Sequence, residues 1–124
     1  MKRLILSAAL TFGLAGLAHA DPVHGTWKSP TNDEGASFQV TIKDCGGTIC
    51  GTITQIAGGA DPTIKGKQMV WDMKSQGSGA YKGRIWAPDT DKTYKGKMEL
   101  SGSTLKMSGC ILGICRGENF KRVK

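Results

Sequence analysis

Alternation of apolar and polar residues with a period of two is the feature that most restricts the fold of this chain. Phe38, Val40 and Ile42 share one face of a predicted strand, and polar residues lie between them. The pattern recurs along the chain, whereas glycine and proline, 18 and 4 of 124 residues, recur too often for a long helix. The chain is therefore expected to be all-β, with one apolar and one charged face on each strand.

Eight strands are predicted from this alternation and from the turn residues that separate the apolar runs. Their ranges are about 23–28, 36–44, 48–57, 67–75, 80–87, 92–100, 103–110 and 115–123, and residues 57–66 can hold a short helical turn. Short strands at regular spacing favour a sandwich or a closed barrel. In a barrel, inward side chains such as Trp71 and Tyr94 are expected to fill most of the interior, with local space at Gly83 and Gly96.

The first 20 residues have the organisation of a secretory signal peptide. Lys2 and Arg3 form a positive start, residues 4–17 are largely apolar, and a small-residue cleavage motif ends at Ala20. Cleavage there would leave a single domain of residues 21–124 and lower the net charge from +7 to +5. We expect an exported protein, periplasmic or secreted. No membrane span is expected, because no apolar run reaches the roughly 20 residues that a span needs.

Four cysteines occur in two pairs with the same spacing, Cys45 with Cys50 and Cys110 with Cys115. In an oxidising compartment they predict two disulfides, with a metal site or redox-active thiols as the alternatives. Each pair flanks a four-residue turn between neighbouring strands, which places its members opposite each other. In an up-and-down barrel the two turns lie at opposite ends, so the expected bonds are Cys45–Cys50 and Cys110–Cys115.

The first and last predicted strands carry a short signature. Gly25-Thr26-Trp27 lies in the first strand, and Arg122 lies late in the last one. This arrangement resembles the structural signature of the lipocalin-like (calycin) barrels, in which a tryptophan packs under the closed end against a basic side chain. The resemblance implies a small antiparallel eight-stranded lipocalin-like β-barrel, with Gly25, Trp27 and Arg122 in structural roles.

A longer match covers almost all of residues 21–124. The chain resembles the bacterial secreted family catalogued as domain of unknown function 2147. Its motifs occur here in order: G-x-W at the start, C-G-G-x-x-C-G from Cys45 to Gly51, G-[RK]-I-[aromatic]-x-P from Gly83 to Pro88, K-T-Y from Lys92 to Tyr94, and a basic, aromatic end from Asn119 to Arg122. Phe120 stands where the family often has tryptophan, and many members lack Cys110 and Cys115. The resemblance implies the fold and export, but no activity.

Catalysis finds little support in the sequence. After cleavage His24 would be the only histidine, and no nucleophile motif such as G-x-S-x-G is present. Asp89 and Asp91 lie in a turn that lacks the further ligands of a calcium loop. We therefore expect no enzymatic activity, no metal and no cofactor. A hydrolase that uses Asp72, Asp89 or Asp91 is the less favoured alternative.

Two surface features are candidates for binding. The hairpin between the last two cysteines carries Ile111, Leu112 and Ile114, where polar residues are usual. The alternation with a period of two also places four cations and an aromatic residue on the outer faces of two neighbouring strands. These residues are Lys82, Arg84, Trp86, Lys95 and Lys97. The alternatives are a hairpin that folds inward to complete a small core, and a charged face that serves solubility and edge protection.

Together these features favour non-enzymatic binding of a small apolar or amphipathic ligand at the mouth of the barrel. The alternative is a periplasmic or secreted protein-interaction module, such as an inhibitor or an envelope accessory factor. Nucleic acid is not expected as a partner, because an exported protein of this kind lacks stacked surface aromatics. The oligomeric state does not follow from the sequence.

Overall fold

The computed structural model, which describes residues 21–124, contains eight antiparallel strands that close into one barrel. In chain order the strands are β1 (Gly25–Lys28), β2 (Ser37–Asp44), β3 (Ile49–Ala57), β4 (Gln68–Gly77), β5 (Ala80–Ala87), β6 (Lys92–Ser101), β7 (Thr104–Ile111) and β8 (Ile114–Arg122). A 3-10 turn, Pro62–Ile64, lies between β3 and β4. The all-β prediction and the eight strands are confirmed. The predicted signal peptide lies outside the described residues.

Each strand pairs with the next one along the chain, and β8 returns to β1. The interior holds a continuous cluster of buried apolar side chains that includes Trp27, Met73, Met98, Leu105 and Phe120. Side chains therefore fill the barrel, as is usual for eight strands of this length. Within residues 21–124, no helix is long and apolar enough to cross a membrane.

Strand β4 departs from the predicted alternation. Asp72 has a φ of 54°, and the register between β4 and β5 shifts between Trp71 and Lys74. Val70 is fully buried opposite Ile85, whereas Trp71 is only half-buried. The prediction that Trp71 fills the interior is therefore wrong. A bulge inserts a residue into the ladder, and the inward and outward positions change on either side of it.

The predicted disulfides are confirmed, and they lie at opposite ends of the barrel. Cys45–Cys50 closes the turn between β2 and β3, and Cys110–Cys115 joins β7 to β8. Each bond closes a short loop, for which the chain-entropy estimate gives about 2 kcal/mol of stabilisation. The Cys110–Cys115 bond stiffens the hairpin of β7 and β8.

Residues 21–24 cover the end of the barrel where β1 begins. Val23 is fully buried, and its carbonyl oxygen accepts a hydrogen bond of 2.9 Å from the indole N–H of Trp27. The Arg122 guanidinium lies 4.3 Å from the centre of the Trp27 ring and donates to the carbonyl oxygens of Pro22 and His24. One arginine thereby joins the first strand, the last strand and the segment that closes this end.

Candidate functional site

The opposite end carries the apolar hairpin tip, defined as residues 111–114. Leu112 and Gly113 have φ values of 51° and 81°, the two positive values of a two-residue type I′ turn. Ile111, Leu112 and Ile114 are 60%, 96% and 67% exposed. The tip therefore projects into solvent, and the alternative in which it folds inward to complete the core is wrong.

Leu112 is unfavourable at this position for two separate reasons. A left-handed backbone favours Gly or Asn over a bulky residue, and type I′ turns normally carry Asn-Gly. Its side chain is also almost entirely in water. The exposed side chain therefore contributes little to the stability of the fold.

A groove of about 850 Å³ separates the tip from β6. Pairing between β6 and β7 ends at Lys95 and Cys110, so the two segments diverge beyond that point. The residues that line the groove are Arg84, Lys92, Thr93, Tyr94, Lys95, Cys110, Ile111, Leu112 and Gly113. The groove thus exists because β6 and the hairpin tip separate where their pairing ends.

The groove is amphipathic. Arg84, Lys92 and Lys95 supply three cations, and Ile111 and Leu112 supply the apolar side. None of its lining residues carries a carboxylate. A binding surface that combines donors of positive charge with apolar contacts suits a ligand with an anionic end and an apolar end.

Tyr94 contributes an aromatic surface to the groove. Its ring packs over Gly109, where an added Cβ would lie 3.3 Å from a ring carbon. Its hydroxyl lies 3.3 Å from Oγ1 of Thr90 in the preceding turn. The sequence predicted Tyr94 as an interior residue, and Tyr94 is partly buried against the core. Lys92 and Thr93 were noted only as part of the K-T-Y motif and were not predicted to bind a ligand. Their common position just after the Pro88–Asp91 turn was the available signal, since that turn lies at the same end as the tip.

The other predicted binding residues lie outside the groove. Lys82 and Lys97 face each other across β5 and β6. Trp86 is half-buried, with the Lys67 ammonium 5.3 Å from the ring centre and its indole N–H bonded to Asp91. Ile114 is exposed at the tip but does not line the groove. The structure therefore brings together four of the predicted residues, namely Arg84, Lys95, Ile111 and Leu112.

The residues considered for catalysis show no shared site. Asp72 lies in the β4 bulge, and the Asp91 carboxylate accepts the hydrogen bond from Trp86. His24 lies at the closed end, away from the groove. Within the described chain, no group of three or more His, Cys, Asp or Glu side chains is placed to hold a metal ion.

One titratable group at the closed end has a strongly altered pKa. Tyr81 is buried, and its hydroxyl donates a hydrogen bond to the Asp21 carboxylate. Burial, followed by that hydrogen bond and the negative charge of Asp21, holds the pKa of Tyr81 well above its ordinary value. This pair fixes Asp21 to β5 and belongs to the structural end of the barrel.

The closed eight-stranded barrel, with its tryptophan–arginine contact at the closed end, defines a lipocalin-like protein. Residues 25–122 match the model of the family described as "Uncharacterized protein conserved in bacteria (DUF2147)", and the chain belongs to that family. A similar solved structure is that of protein HP1028 from the human pathogen Helicobacter pylori, described as belonging to the lipocalin family. It is 15% identical, 85% of each chain is covered, and the TM-score is 0.66, a likeness that shows the fold alone. Comparison with curated proteins gives no match.

Proposed function

We propose that this protein is a non-enzymatic binding protein for a small amphipathic ligand with an anionic head group. The observation that carries the proposal is the groove in which Arg84, Lys92 and Lys95 lie beside Ile111 and Leu112. Because side chains fill the barrel interior, the ligand would lie at the mouth, between β6 and the hairpin tip.

Each half of the groove has a distinct energetic role. Ammonium and guanidinium groups form charge-assisted hydrogen bonds with a carboxylate or phosphate head group. Full burial of the Ile111 and Leu112 side chains would contribute about 3 to 6 kcal/mol in all, at about 1.5–3 kcal/mol each. An open groove leaves part of the ligand in water, so we expect affinity in the micromolar range.

We also propose that the protein is exported. The basic and apolar pattern that ends at Ala20 supports this, and so do the two disulfides, which persist in oxidising compartments. The intact mass of the native protein tests the proposal. Cleavage after Ala20 gives the mass of residues 21–124, and a mass that includes residues 1–20 would contradict it.

The test of ligand binding uses three probes with the same alkyl chain, namely dodecanoate, dodecan-1-ol and dodecylamine, each below its aggregation concentration. Calorimetric titration is expected to show binding of dodecanoate and much weaker binding of the neutral and cationic analogues. Lys95→Glu is expected to weaken dodecanoate binding about tenfold or more, because it replaces an attractive charge with a repulsive one.

Lys82→Glu is the matched control, since Lys82 is an exposed lysine on the neighbouring strand that does not line the groove. It should leave binding nearly unchanged. Equal loss in the two variants would assign the effect to net charge and contradict a specific groove. Absence of amphiphile binding, together with a co-purifying protein that protects the tip from solvent, would favour the interaction-module alternative.

A further inference from the structure

Within residues 21–124, most of one edge of strand β8 is not covered by another strand. On one side β7 pairs with it along its whole length, from Ile114 to Lys121. On the other side β1 is so short that it pairs only with Lys121 and Arg122. No other backbone hydrogen bond in residues 21–124 involves residues 114–120 on that side. An uncovered strand edge is a template for pairing with a further strand.

The hydrogen bonds at the end of β8 show which residues face this edge. Arg122 donates its backbone N–H to Ser103, on the β7 side, and Val123 donates to Thr26, on the β1 side. Successive residues of an antiparallel strand alternate between the two sides. The backbone N–H and C=O groups at the open edge are therefore those of Cys115, Gly117 and Asn119.

We propose that this edge pairs with the same edge of a second copy of the chain, antiparallel and about a two-fold axis at Gly117. In this register Arg116 lies opposite Glu118 of the second copy, and Glu118 lies opposite Arg116. Opposite charges that face each other across antiparallel strands are stabilising. The pattern is self-complementary, as a two-fold interface requires.

The neighbouring registers do not have this property. An axis at Arg116 would set the two arginines opposite each other, and an axis at Glu118 would set the two glutamates opposite each other. The axis at Gly117 also brings edge-facing residues together, because Cys115 meets Asn119 and Gly117 meets Gly117. Three hydrogen-bonded pairs follow, with two backbone bonds each. The flanking Arg116–Glu118 pairs are of the non-hydrogen-bonded kind, in which side chains lie closer.

Features of the hairpin itself favour this pairing. The ladder between β7 and β8 has no register shift, and β8 contains no proline, so the edge is regular. The Cys110–Cys115 bond holds the two strands together at their far end, which lowers the ordering cost of association. The ligand groove is on the opposite side of the hairpin, so the two sites do not overlap.

Sedimentation velocity over about 1 to 500 µM protein measures the association directly. We expect a reversible monomer–dimer equilibrium. Glu118→Arg and Arg116→Glu each create two like-charge pairs across the proposed axis, and each should raise the dimer dissociation constant about tenfold or more. An equimolar mixture of the two variants should recover dimers, because every facing pair is again of opposite charge. Glu99→Arg, at an exposed glutamate on β6, is the control for Glu118→Arg, with the same change in net charge.

Asn119→Pro tests the backbone part of the proposal. Its N–H faces the open edge, and edge strands tolerate proline where the N–H faces solvent. The variant should keep the circular dichroism spectrum of the barrel and lose dimers. A monomer at every concentration, a dimer unaffected by Asn119→Pro, or a mixture of charge variants no tighter than either variant alone would overturn the proposal. So would pairing of this edge only with an added extended peptide.

Discussion

At the scale of single residues, Leu112 is unfavourable for folding but well placed for the proposed ligand binding. Its backbone is left-handed, its side chain is in water, and the same side chain lines the groove. The turn between β4 and β5, at the other end, shows the ordinary solution, since Ser78 and Gly79 take similar positive φ values of 55° and 80° with small residues. Leu112 is thus an exception to turn chemistry at the place where the proposed ligand would lie.

Replacement of Leu112 by Asn should make the fold more stable and should weaken ligand binding in the groove. Asn tolerates the left-handed conformation, so the free energy of unfolding is expected to rise by about 0.5–1 kcal/mol. Loss of the apolar contact should weaken dodecanoate binding about tenfold. Urea denaturation and calorimetric titration measure the two effects.

Ser78→Asn is the matched control for this variant, because Ser78 has a similar φ in the turn between β4 and β5. It should be neutral or slightly stabilising and should leave ligand binding unchanged. If Leu112→Asn lowers stability or binds dodecanoate as well as the parent does, then Leu112 is not the contact residue proposed here.

Residue identity was enough to predict some contacts but not others. The Trp27–Arg122 contact could be anticipated from the resemblance to the lipocalin-like barrels, in which a tryptophan of the first strand packs against a basic side chain of the last. The roles of Lys92 and Tyr94 could not, because they depend on where the pairing of β6 with β7 ends. Alternation assigns a face to each residue, but it does not show where the pairing between two neighbouring strands ends.

At the scale of secondary structure, the β4 bulge explains why glycine is needed at position 83. An added Cβ there would lie 2.6 Å from the carbonyl oxygen of Asp72 and 2.7 Å from Cα of Met73. The expectation that Gly83 leaves space in the interior is therefore wrong, because the backbone of the bulge occupies that space. Gly96 likewise faces Ile85 at 2.9 Å. Periodicity locates the strands correctly, but it does not reveal the extra residue that a bulge inserts.

Gly83→Ala should destabilise the barrel strongly. The atoms that its methyl group would meet belong to the backbone and cannot rotate away, so we expect a loss of about 2–3 kcal/mol. Urea denaturation followed by tryptophan fluorescence measures the change.

Gly109→Ala provides the comparison, because the nearest atoms to its Cβ are those of the Tyr94 side chain, at 3.3 Å or more. A side chain can shift by a few tenths of an ångström, so the loss should be clearly smaller. Equal losses in Gly83→Ala and Gly109→Ala would mean that the bulge yields as easily as a side chain does, contrary to the packing described above.

At the scale of the whole molecule, the two ends of the barrel have different roles. At one end residues 21–24, Trp27, Tyr81 and Arg122 form a closed and hydrogen-bonded base. At the other end the hairpin of β7 and β8 separates from β6, with a groove on one side and an uncovered edge on the other. A base fixed by buried contacts allows the opposite end to carry exposed apolar and charged groups without loss of the fold.

The stability of the closed base should decrease at alkaline pH through Tyr81. An ordinary phenol loses its proton near pH 10, whereas burial and the Asp21 carboxylate hold the pKa of Tyr81 higher in the folded protein. Above about pH 10 the unfolded chain is therefore deprotonated at Tyr81 while the folded chain keeps the proton, and rising pH favours unfolding. The contribution of Tyr81 to the free energy of unfolding is complete below pH 10. Above pH 10 it decreases by at most about 1.4 kcal/mol per pH unit.

Two phenylalanine variants isolate this contribution, since Tyr81 and Tyr94 are the two tyrosines of the chain. Urea denaturation between about pH 8 and 11 should show a fall in the free energy of unfolding for the parent and for Tyr94→Phe. The fall should be smaller for Tyr81→Phe, which is also expected to be less stable near neutral pH because the Asp21 carboxylate keeps the Val23 N–H but loses the Tyr81 hydroxyl as a donor. If Tyr81→Phe and the parent lose stability with the same slope, lysines account for the alkaline transition, and the Tyr81–Asp21 contact does not hold the base closed.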